Sequence, residues 1–278
     1  MSIRTRWLHL VTLLGLAAVL AGCTTVPSSS SAYDTTYSAV SQASRVRYLI
    51  IHYTALDMPT SLRVLTEQTV SSHYLVDENP APRIYLLVDE SRRANHAGVS
   101  SWKTDTNLNS SSIGIEIVNL GMRKGPDGPV WFPFPQSQID KVIALVRDIT
   151  QRHGITPDRV LGHSDIAPQR KQDPGPYFPW KQLADAGLVL WPDAAQVAAR
   201  VPVFEASPPP VAWYQSKLSS HGFAVPQTGT MDEATRTVIA AFQMKYRPGN
   251  YAGGMDAETA AILDVLTTPV PPKNLPKP

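Results

Sequence analysis

The sequence predicts an α/β domain followed by a small helical unit, and three observations support this prediction. Apolar runs of strand length recur between residues 46 and 117, bounded by polar residues and prolines. Residues 136–153 instead repeat apolar side chains at spacings of three and four, which is the pattern of an amphipathic helix. Beyond residue 210 the recurring pattern is helical. Strands and amphipathic helices that share one stretch are expected to pack as helices on a sheet.

The first 44 residues have the character of an export signal followed by a tether. Arg4 and Arg6 precede an apolar run over 8–20, and Leu-Ala-Gly then leads to Cys23. This order resembles a bacterial lipoprotein signal peptide over residues 1–22 with lipidation at Cys23. An uncleaved membrane helix is the alternative, but the apolar run is shorter than the roughly 20 residues that span a bilayer. Residues 23–44, rich in Ser and Thr, are expected to form a flexible, lipid-anchored tether.

Location and partners are constrained by three further features. Thr24, rather than an aspartate, follows Cys23; by resemblance to lipoprotein sorting, this favours the outer membrane, with the protein facing the periplasm. The formal charge of +2 falls to zero when Arg4 and Arg6 leave with the signal, so there is no electrostatic case for binding nucleic acid. Cys23 is the only cysteine, which leaves no other thiolate for metal binding or nucleophilic catalysis.

The apolar runs predict the strands of the α/β domain. The run over 46–51 predicts a buried strand that delivers His52 at its end, where the chemistry of mixed sheets usually lies. The strand over 113–117 alternates isoleucines with Gly114 and Glu116, which points Glu116 away from the isoleucine face. A carboxylate on such a strand is costly to bury unless it is paired or functional; a partly exposed position on the solvent face is the alternative. Other predicted elements are a helix over 61–68 and strands over 73–76 and 84–88.

The helix over 136–153 is expected to cover the sheet. Ser137 with Asp140 resembles a capping box at its start. Gly154 and Pro157 are expected to end it.

After residue 195 the composition predicts a linker and a second, smaller unit. Residues 196–210, which end in three prolines, are expected to form a Pro-rich linker. Three helices follow, over 213–220, 232–246 and 256–266, and the last two begin at aspartates suited to capping. At about sixty residues this unit is near the lower size for independent folding, so it is expected to lean on the first domain. Residues 268–278, rich in Pro and Lys, are expected to be a disordered tail.

A Pro-rich loop over 161–180 contains the residue types of a metal site. Its prolines argue against helix or strand, and it carries His163, Asp165 and Asp173. Imidazole and carboxylate without thiolate suit Zn²⁺, and a hydrolytic zinc needs three protein ligands and one open position. His52 is the best third candidate. Asp165 competes with Asp173, but capping backbone amides of the turn is the more ordinary role for Asp165.

Five motifs together resemble a known enzyme family: Ile-His-Tyr-Thr at 51–54, Ser-His-Tyr-Leu-Val at 72–76, His-Ala-Gly at 96–98, the strand at 112–119, and the loop from residue 162. Over residues 45–195 the chain is similar to zinc-dependent N-acetylmuramoyl-L-alanine amidases of the amidase-2 type. The resemblance implies a central mixed β-sheet flanked by helices, as in peptidoglycan-recognition proteins. Residues 211–267 resemble a three-helix peptidoglycan-binding domain.

The resemblance implies roles for individual residues. His52, His163 and Asp173 would ligate one catalytic zinc, and Glu116 would carry a proton from the attacking water to the leaving L-alanine amine. Lys171 would stabilise the oxyanion, although a solvated loop lysine is the ordinary alternative. The implied substrate contacts are His96, which would line the cleft, and Arg170, for a substrate carboxylate. Asn95 stands where the family resemblance leads us to expect tryptophan.

The expected activity is hydrolysis of the amide bond between N-acetylmuramic acid and L-alanine in peptidoglycan or muropeptides. Whether anhydro-muramyl ends are preferred stays open at this stage, and a monomer is favoured. Two alternatives remain: a zinc peptidase that cuts within the stem, and a metal-free wall-binding protein of the same fold. Retention of His52, His163 and Asp173 disfavours the binding protein, because such proteins usually lack a ligand.

Overall fold

A five-stranded mixed β-sheet forms the centre of the protein in a computed structural model, which describes residues 33–268. The predicted signal peptide, the lipidation site Cys23 and nearly all of the predicted tail lie outside the described residues. Residues 33–43 contain no helix or strand and belong to a unit separate from residues 44–268. Within the described part of the chain, none of the helices is long and apolar enough to cross a bilayer.

The larger unit contains nine strands and eight α-helices among the described residues, and all of the strands precede helix α4. The strands are β1 Tyr48–Tyr53, β2 Tyr74–Val76, β3 Ile84–Leu86, β4 Ser101–Trp102, β5 Asp105–Thr106, β6 Ser112–Ile117, β7 Met122–Gly125, β8 Gly128–Trp131 and β9 Val160–Gly162. The helices are α1 Met58–Glu67, α2 Gln136–His153, α3 His163–Ile166, α4 Trp180–Asp185, α5 Ala194–Ala206, α6 Val211–His221, α7 Glu233–Tyr246 and α8 Ala257–Thr267. The expected mixed sheet flanked by helices is confirmed.

The sheet order is β3-β2-β6-β1-β9, with β1 parallel to both β6 and β9. β2 is parallel to β6 and antiparallel to β3. The register places His52 of β1 opposite Glu116 of β6, and Ile51 opposite Gly162 of β9. Since parallel strands end at one edge of a sheet, the ends of β1, β6 and β9 bring His52, Glu116 and His163 to the same edge.

Strand β1 is buried on both faces, which explains its nearly continuous apolar sequence. Leu49 and Ile51 pack with β6 and with helix α2. Tyr48 and Ile50 face the other way and pack in a cluster with the C-terminal helices. That cluster includes Trp102, Leu161, Ile166 and Ala167 with Tyr214, Phe223, Val238, Phe242, Tyr246 and Ile262. The small unit therefore leans on the first domain, as its size suggested.

The three C-terminal helices α6, α7 and α8 form as predicted, and the last two have the expected aspartate N-caps. Asp232 accepts a hydrogen bond from the Thr235 amide at 2.7 Å, and Asp256 accepts one from the Thr259 amide at 2.8 Å. Both bonds satisfy an amide that the first turn of a helix leaves unpaired.

Three local predictions differ from the structure. The predicted linker over 196–210 is mostly helix α5, which Asp193 caps and which contains Pro202; its Ala-rich sequence favours helix, and Arg200 pairs with Asp264 of α8 at 2.6 Å. The capping box at Ser137 is wrong, because Pro135 is the N-cap and makes no side-chain bond. The loop over 161–180 contains the end of β9, the short helix α3 and the first residue of α4.

Candidate metal centre and active-site cleft

Three buried side chains converge where the parallel strands end. Nδ1 of His52 lies 3.0 Å from Nδ1 of His163 and 3.0 Å from Oδ2 of Asp173, and the His163 to Asp173 distance is 3.1 Å. Each of the three residues is less than a tenth exposed. Ligand atoms about 2.1 Å from a tetrahedral zinc lie roughly 3.4 Å apart. The structure thus brings the three predicted ligands together at nearly the spacing of a metal site.

Hydrogen bonding fixes the tautomer of His163. Its Nε2 lies 3.1 Å from the Ala97 carbonyl, which can only accept. Nε2 therefore carries the proton, and a neutral His163 has an unprotonated Nδ1 facing the other two donors.

A longer chain of hydrogen bonds fixes the tautomer of His52. The Ser112 hydroxyl donates to the Leu108 carbonyl at 2.6 Å, so its oxygen accepts from Nε2 of His96 at 3.2 Å. Nδ1 of His96 is then the acceptor for Nε2–H of His52, 3.0 Å away. This again leaves Nδ1 of His52 without a proton.

Electrostatics agree with neutral side chains at His52 and His96 and with an ionised Asp173. Burial and the nearby His163 lower the pKa of His52 to about 4, and burial also lowers the pKa of His96 well below its usual value. Burial alone would raise the pKa of Asp173, but His163 and His52 hold it below its ordinary range. Two nitrogen lone pairs and a carboxylate that converge without a proton between them repel one another. The donor set therefore fits a bound cation.

Glu116 lies beside this centre on β6. Its Oε2 is buried and makes no hydrogen bond to any described residue. Burial and, to a lesser extent, the charge of Asp173 raise the pKa of Glu116 to about 8, against the opposing effect of Lys171. A carboxyl group that holds a proton near neutral pH is suited to proton transfer, unlike one on an open solvent face.

The centre opens into a cleft of about 690 Å³. Its walls include Glu116, His163, Asp173 and the half-buried Lys171. The Lys171 ammonium makes no ion pair with the described residues, so its charge is available to the cleft. Other lining residues are Tyr53, Asn95, His96, Gln169, Arg170 and Thr237.

Two predicted substrate contacts have other partners in the structure. The Arg170 guanidinium donates from Nη2 to the carbonyls of Ala97 and Val99, each at 2.7 Å, and so joins the 97–99 loop to the metal-binding segment. His96 is only 8% exposed and holds His52 through Nδ1. Both residues line the cleft, and Nε and Nη2 of Arg170 and both ring nitrogens of His96 contact protein groups.

The ordinary role for Asp165 is also observed. Its Oδ2 accepts a hydrogen bond from the Gly162 amide at 2.8 Å, just before His163. The same oxygen pairs with Lys245 at 2.8 Å, and Asp165 is not part of the cluster formed by His52, His163 and Asp173.

Sequence reasoning missed three contributors to this site: Ser112, Thr237 and Lys245. Ser112 begins a strand like many serines, and nothing local marks its contact with His96. Lys245 did carry a signal, because it follows Val238 by seven residues and Phe242 by three and so falls on the apolar face of its helix.

Comparison with known proteins follows the same division of the chain. Residues 42–176 match the family model for N-acetylmuramoyl-L-alanine amidase, and residues 207–263 match a putative peptidoglycan binding domain. The chain is 44% identical over 267 residues to N-acetylmuramoyl-L-alanine amidase AmiD of Escherichia coli, which covers 91% of this chain and 95% of that protein. It is 27% identical over 212 residues to a putative N-acetylmuramoyl-L-alanine amidase of Rickettsia conorii, covering 72% of this chain and 74% of that protein.

Two solved structures have a similar fold. One is E. coli AmiD in complex with anhydro-N-acetylmuramic acid-L-Ala-D-gamma-Glu-L-Lys, with a TM-score of 0.77 and 44% identity, covering 84% of this chain and 93% of that one. The other is AmpDh3 of Pseudomonas aeruginosa with anhydromuramic pentapeptide, with a TM-score of 0.78 and 41% identity, covering 84% and 95%. By sequence and by fold, the chain belongs to the N-acetylmuramoyl-L-alanine amidase family.

Proposed function

We propose that this amidase is zinc-dependent and that His52, His163 and Asp173 hold the ion. The observation that carries the proposal is the convergence of three unprotonated donor atoms within 3.1 Å of one another at the floor of a cleft. Two imidazoles and one carboxylate, with room for a fourth ligand, make up a common catalytic zinc set. When bound, zinc would polarise the scissile carbonyl and lower the pKa of a water molecule.

Glu116 is the proposed proton carrier. It accepts the proton of the attacking water and delivers it to the amine of L-alanine as the amide bond breaks. Its buried, unpartnered Oε2 and raised pKa support this role, since the group holds a proton readily between the two steps.

Lys171 is the proposed partner for negative charge on the substrate. Its charge is close enough to lower the pKa of Glu116 and of His52, which indicates that it acts on the same space. An ammonium there stabilises the oxyanion that forms when the carbonyl is attacked.

The proposed substrates are peptidoglycan fragments in which muramic acid carries a peptide stem, including those with anhydro-muramyl ends. The structures of AmiD and AmpDh3 contain anhydro-muramyl peptides, and the chain resembles both over most of its length. These relatives favour an amidase over a peptidase. The complete set of donors, His52, His163 and Asp173, disfavours a metal-free binding protein.

The proposed location is the periplasmic face of the outer membrane, through lipidation of Cys23. The support is the order of basic, apolar and small residues before that cysteine, and Thr24 after it. The C-terminal unit is proposed to bind peptidoglycan, which would raise the enzyme's effective concentration at the wall.

Mass spectrometry of the products tests the reaction. The purified protein is incubated with anhydro-muropeptides, with and without a chelator, alongside His163→Ala. We expect free anhydro-muramyl sugar and an intact stem peptide only when the wild-type protein retains its metal. Shortened stems would indicate a peptidase, and binding without release would indicate a wall-binding protein.

A further inference from the structure

A buried ion pair joins the C-terminal unit to the segment that carries two of the proposed zinc ligands. Nζ of Lys245, on helix α7, lies 2.8 Å from Oδ2 of Asp165, on helix α3. The two side chains are only 4% and 2% exposed. Nζ also donates to the Val160 carbonyl at 3.3 Å and lies 4.3 Å from the centroid of the Trp180 ring.

Asp165 transmits this contact to the zinc ligands. The same Oδ2 that meets Lys245 accepts from the Gly162 amide, immediately before His163. The next residue, Ser164, donates its amide to the Asp173 carbonyl at 2.9 Å, which ties the two ligand-bearing ends of the segment together. The pair is therefore bonded to the backbone that sets the directions of His163 and Asp173.

The position of Lys245 on its helix calls for an explanation. Val238 and Phe242, on the same face, are fully buried apolar residues. Desolvating a charged pair costs more than packing an apolar side chain, and a buried ion pair is not by itself a source of stability. Stability alone therefore does not explain a lysine on this face, whereas a functional role for its bond to Asp165 would.

Helix α7 supports the segment along its length. Near the start of the helix, Nε2 of Gln169 donates to the Ala234 carbonyl at 2.9 Å. Ile166 and Ala167 share a buried cluster with Phe242. Thr237, from the same helix, lines the cleft itself. The C-terminal unit thus contacts the segment at both ends of α7 and contributes to the active-site wall.

We propose that Lys245 is a positioning residue for the metal centre, which it acts on through Asp165. The C-terminal unit then has two roles: it binds peptidoglycan, and it holds the segment of His163 and Asp173 in the geometry that binds metal. This inference rests on the proposed zinc function of those residues.

The test compares three variants of the full chain: Lys245→Met, the double variant Lys245→Met with Asp165→Asn, and the control Lys217→Met. The control breaks a less buried pair with Asp264 within the C-terminal unit. The double variant removes both charges, so it leaves no unpaired buried carboxylate and is expected to fold. Zinc affinity is measured by competition with a chromophoric chelator, the ligand geometry by the visible spectrum of the Co²⁺ form, and turnover on a soluble anhydro-muropeptide.

We expect zinc binding to weaken about 10- to 100-fold in both Lys245 variants, as for other partners of metal ligands, with an altered Co²⁺ spectrum and slower turnover. Lys217→Met should match the wild type in all three measurements. Wild-type zinc affinity and an unchanged Co²⁺ spectrum in the folded double variant would overturn the proposal, even if its melting temperature fell. Failure of the wild type to bind zinc would instead overturn the proposed function, so the two failures are distinguishable.

Discussion

His52 and His163 each commit one ring nitrogen to a hydrogen bond with the protein, and in both rings this leaves Nδ1 as the free donor. The residue types and the family motifs identified both histidines and Asp173 from the sequence. The tautomers were not predictable, because they depend on tertiary hydrogen bonds. The carbonyl of Ala97 fixes the tautomer of His163, and the carbonyl of Leu108, through Ser112 and His96, fixes that of His52. The role of His96 was missed for the same reason: its partner Ser112 is separated from it by 16 residues and a turn.

The substitution Glu116→Gln tests the proposed proton-transfer role of this side chain. The amide keeps the shape of the side chain but cannot take up a proton, so we expect turnover to fall by about 10²- to 10⁴-fold. Zinc content should stay at the wild-type level, because Glu116 is not one of the three ligands. Steady-state kinetics on a soluble muropeptide, with metal analysis of the same sample, checks both expectations. Unchanged turnover would remove Glu116 from the mechanism.

At the scale of elements, β1, β6 and β9 position the site by ending at one edge of the sheet. The apolar run over 46–51 was sufficient to predict β1, and the alternation over 113–117 was sufficient to predict β6. Helix α5 was not predicted, because Pro202 and the prolines at 208–210 suggested a linker. Its stability depends on packing against α8, and in the sequence that partner lies some fifty residues away.

Gly114 of β6 makes room for His96. A Cβ added at Gly114 would lie 2.6 Å from Cγ of the His96 ring, far closer than a van der Waals contact. We expect Gly114→Ala to displace His96 and thereby release His52, which should weaken zinc binding about 10- to 100-fold. Gly249→Ala is the matched control, because a Cβ there meets no atom within 4 Å. Equal zinc affinity in the two variants, measured by chelator competition, would show that His96 does not hold His52 in its metal-binding position.

Glu90 couples the end of α2 to the segment after β3 in a pH-dependent way. Burial alone would raise the pKa of Glu90, but hydrogen bonds from Arg152, His153 and Tyr74 lower it to about 2. The hydrogen bonds of ionised Glu90 therefore stabilise the fold at pH values above the ordinary pKa of 4.5. This contribution is lost as the pH falls from 4.5 toward 2.

Glu90→Gln should remove that dependence. We expect the variant to melt below the wild type at pH 7 and the difference to shrink between pH 5 and pH 3. Thermal unfolding followed by circular dichroism across this range measures it. A difference that stays constant with pH would show that the ionisation of Glu90 does not contribute.

At the scale of the whole molecule, the two predicted domains share one hydrophobic cluster. Ile50, Leu161 and Ile166 on one side pack with Val238 and Phe242 on the other. The aspartate caps of α7 and α8 were predictable from the sequence. The extent of the surface shared by the amidase domain and the C-terminal unit was not predictable, because it depends on which face of β1 the C-terminal helices cover.

Deleting residues 207–278 should therefore harm the amidase region itself. Each large apolar side chain left exposed costs about 1.5–3 kcal/mol, so we expect the melting temperature to fall by roughly 10 °C or more. Turnover on small muropeptides should fall together with action on intact sacculi. If the truncated protein kept wild-type stability and full activity on small muropeptides, the C-terminal unit would be a separable targeting module.

The proposed mechanism requires one metal ion, held by His52, His163 and Asp173, for amide cleavage. A titration of metal-depleted protein with Zn²⁺, with release of the stem peptide from an anhydro-muropeptide as the readout, tests it most directly. We predict that activity rises linearly, saturates at one equivalent of zinc, and never appears in His163→Ala. Full activity in the metal-depleted protein, or in His163→Ala, would contradict the account.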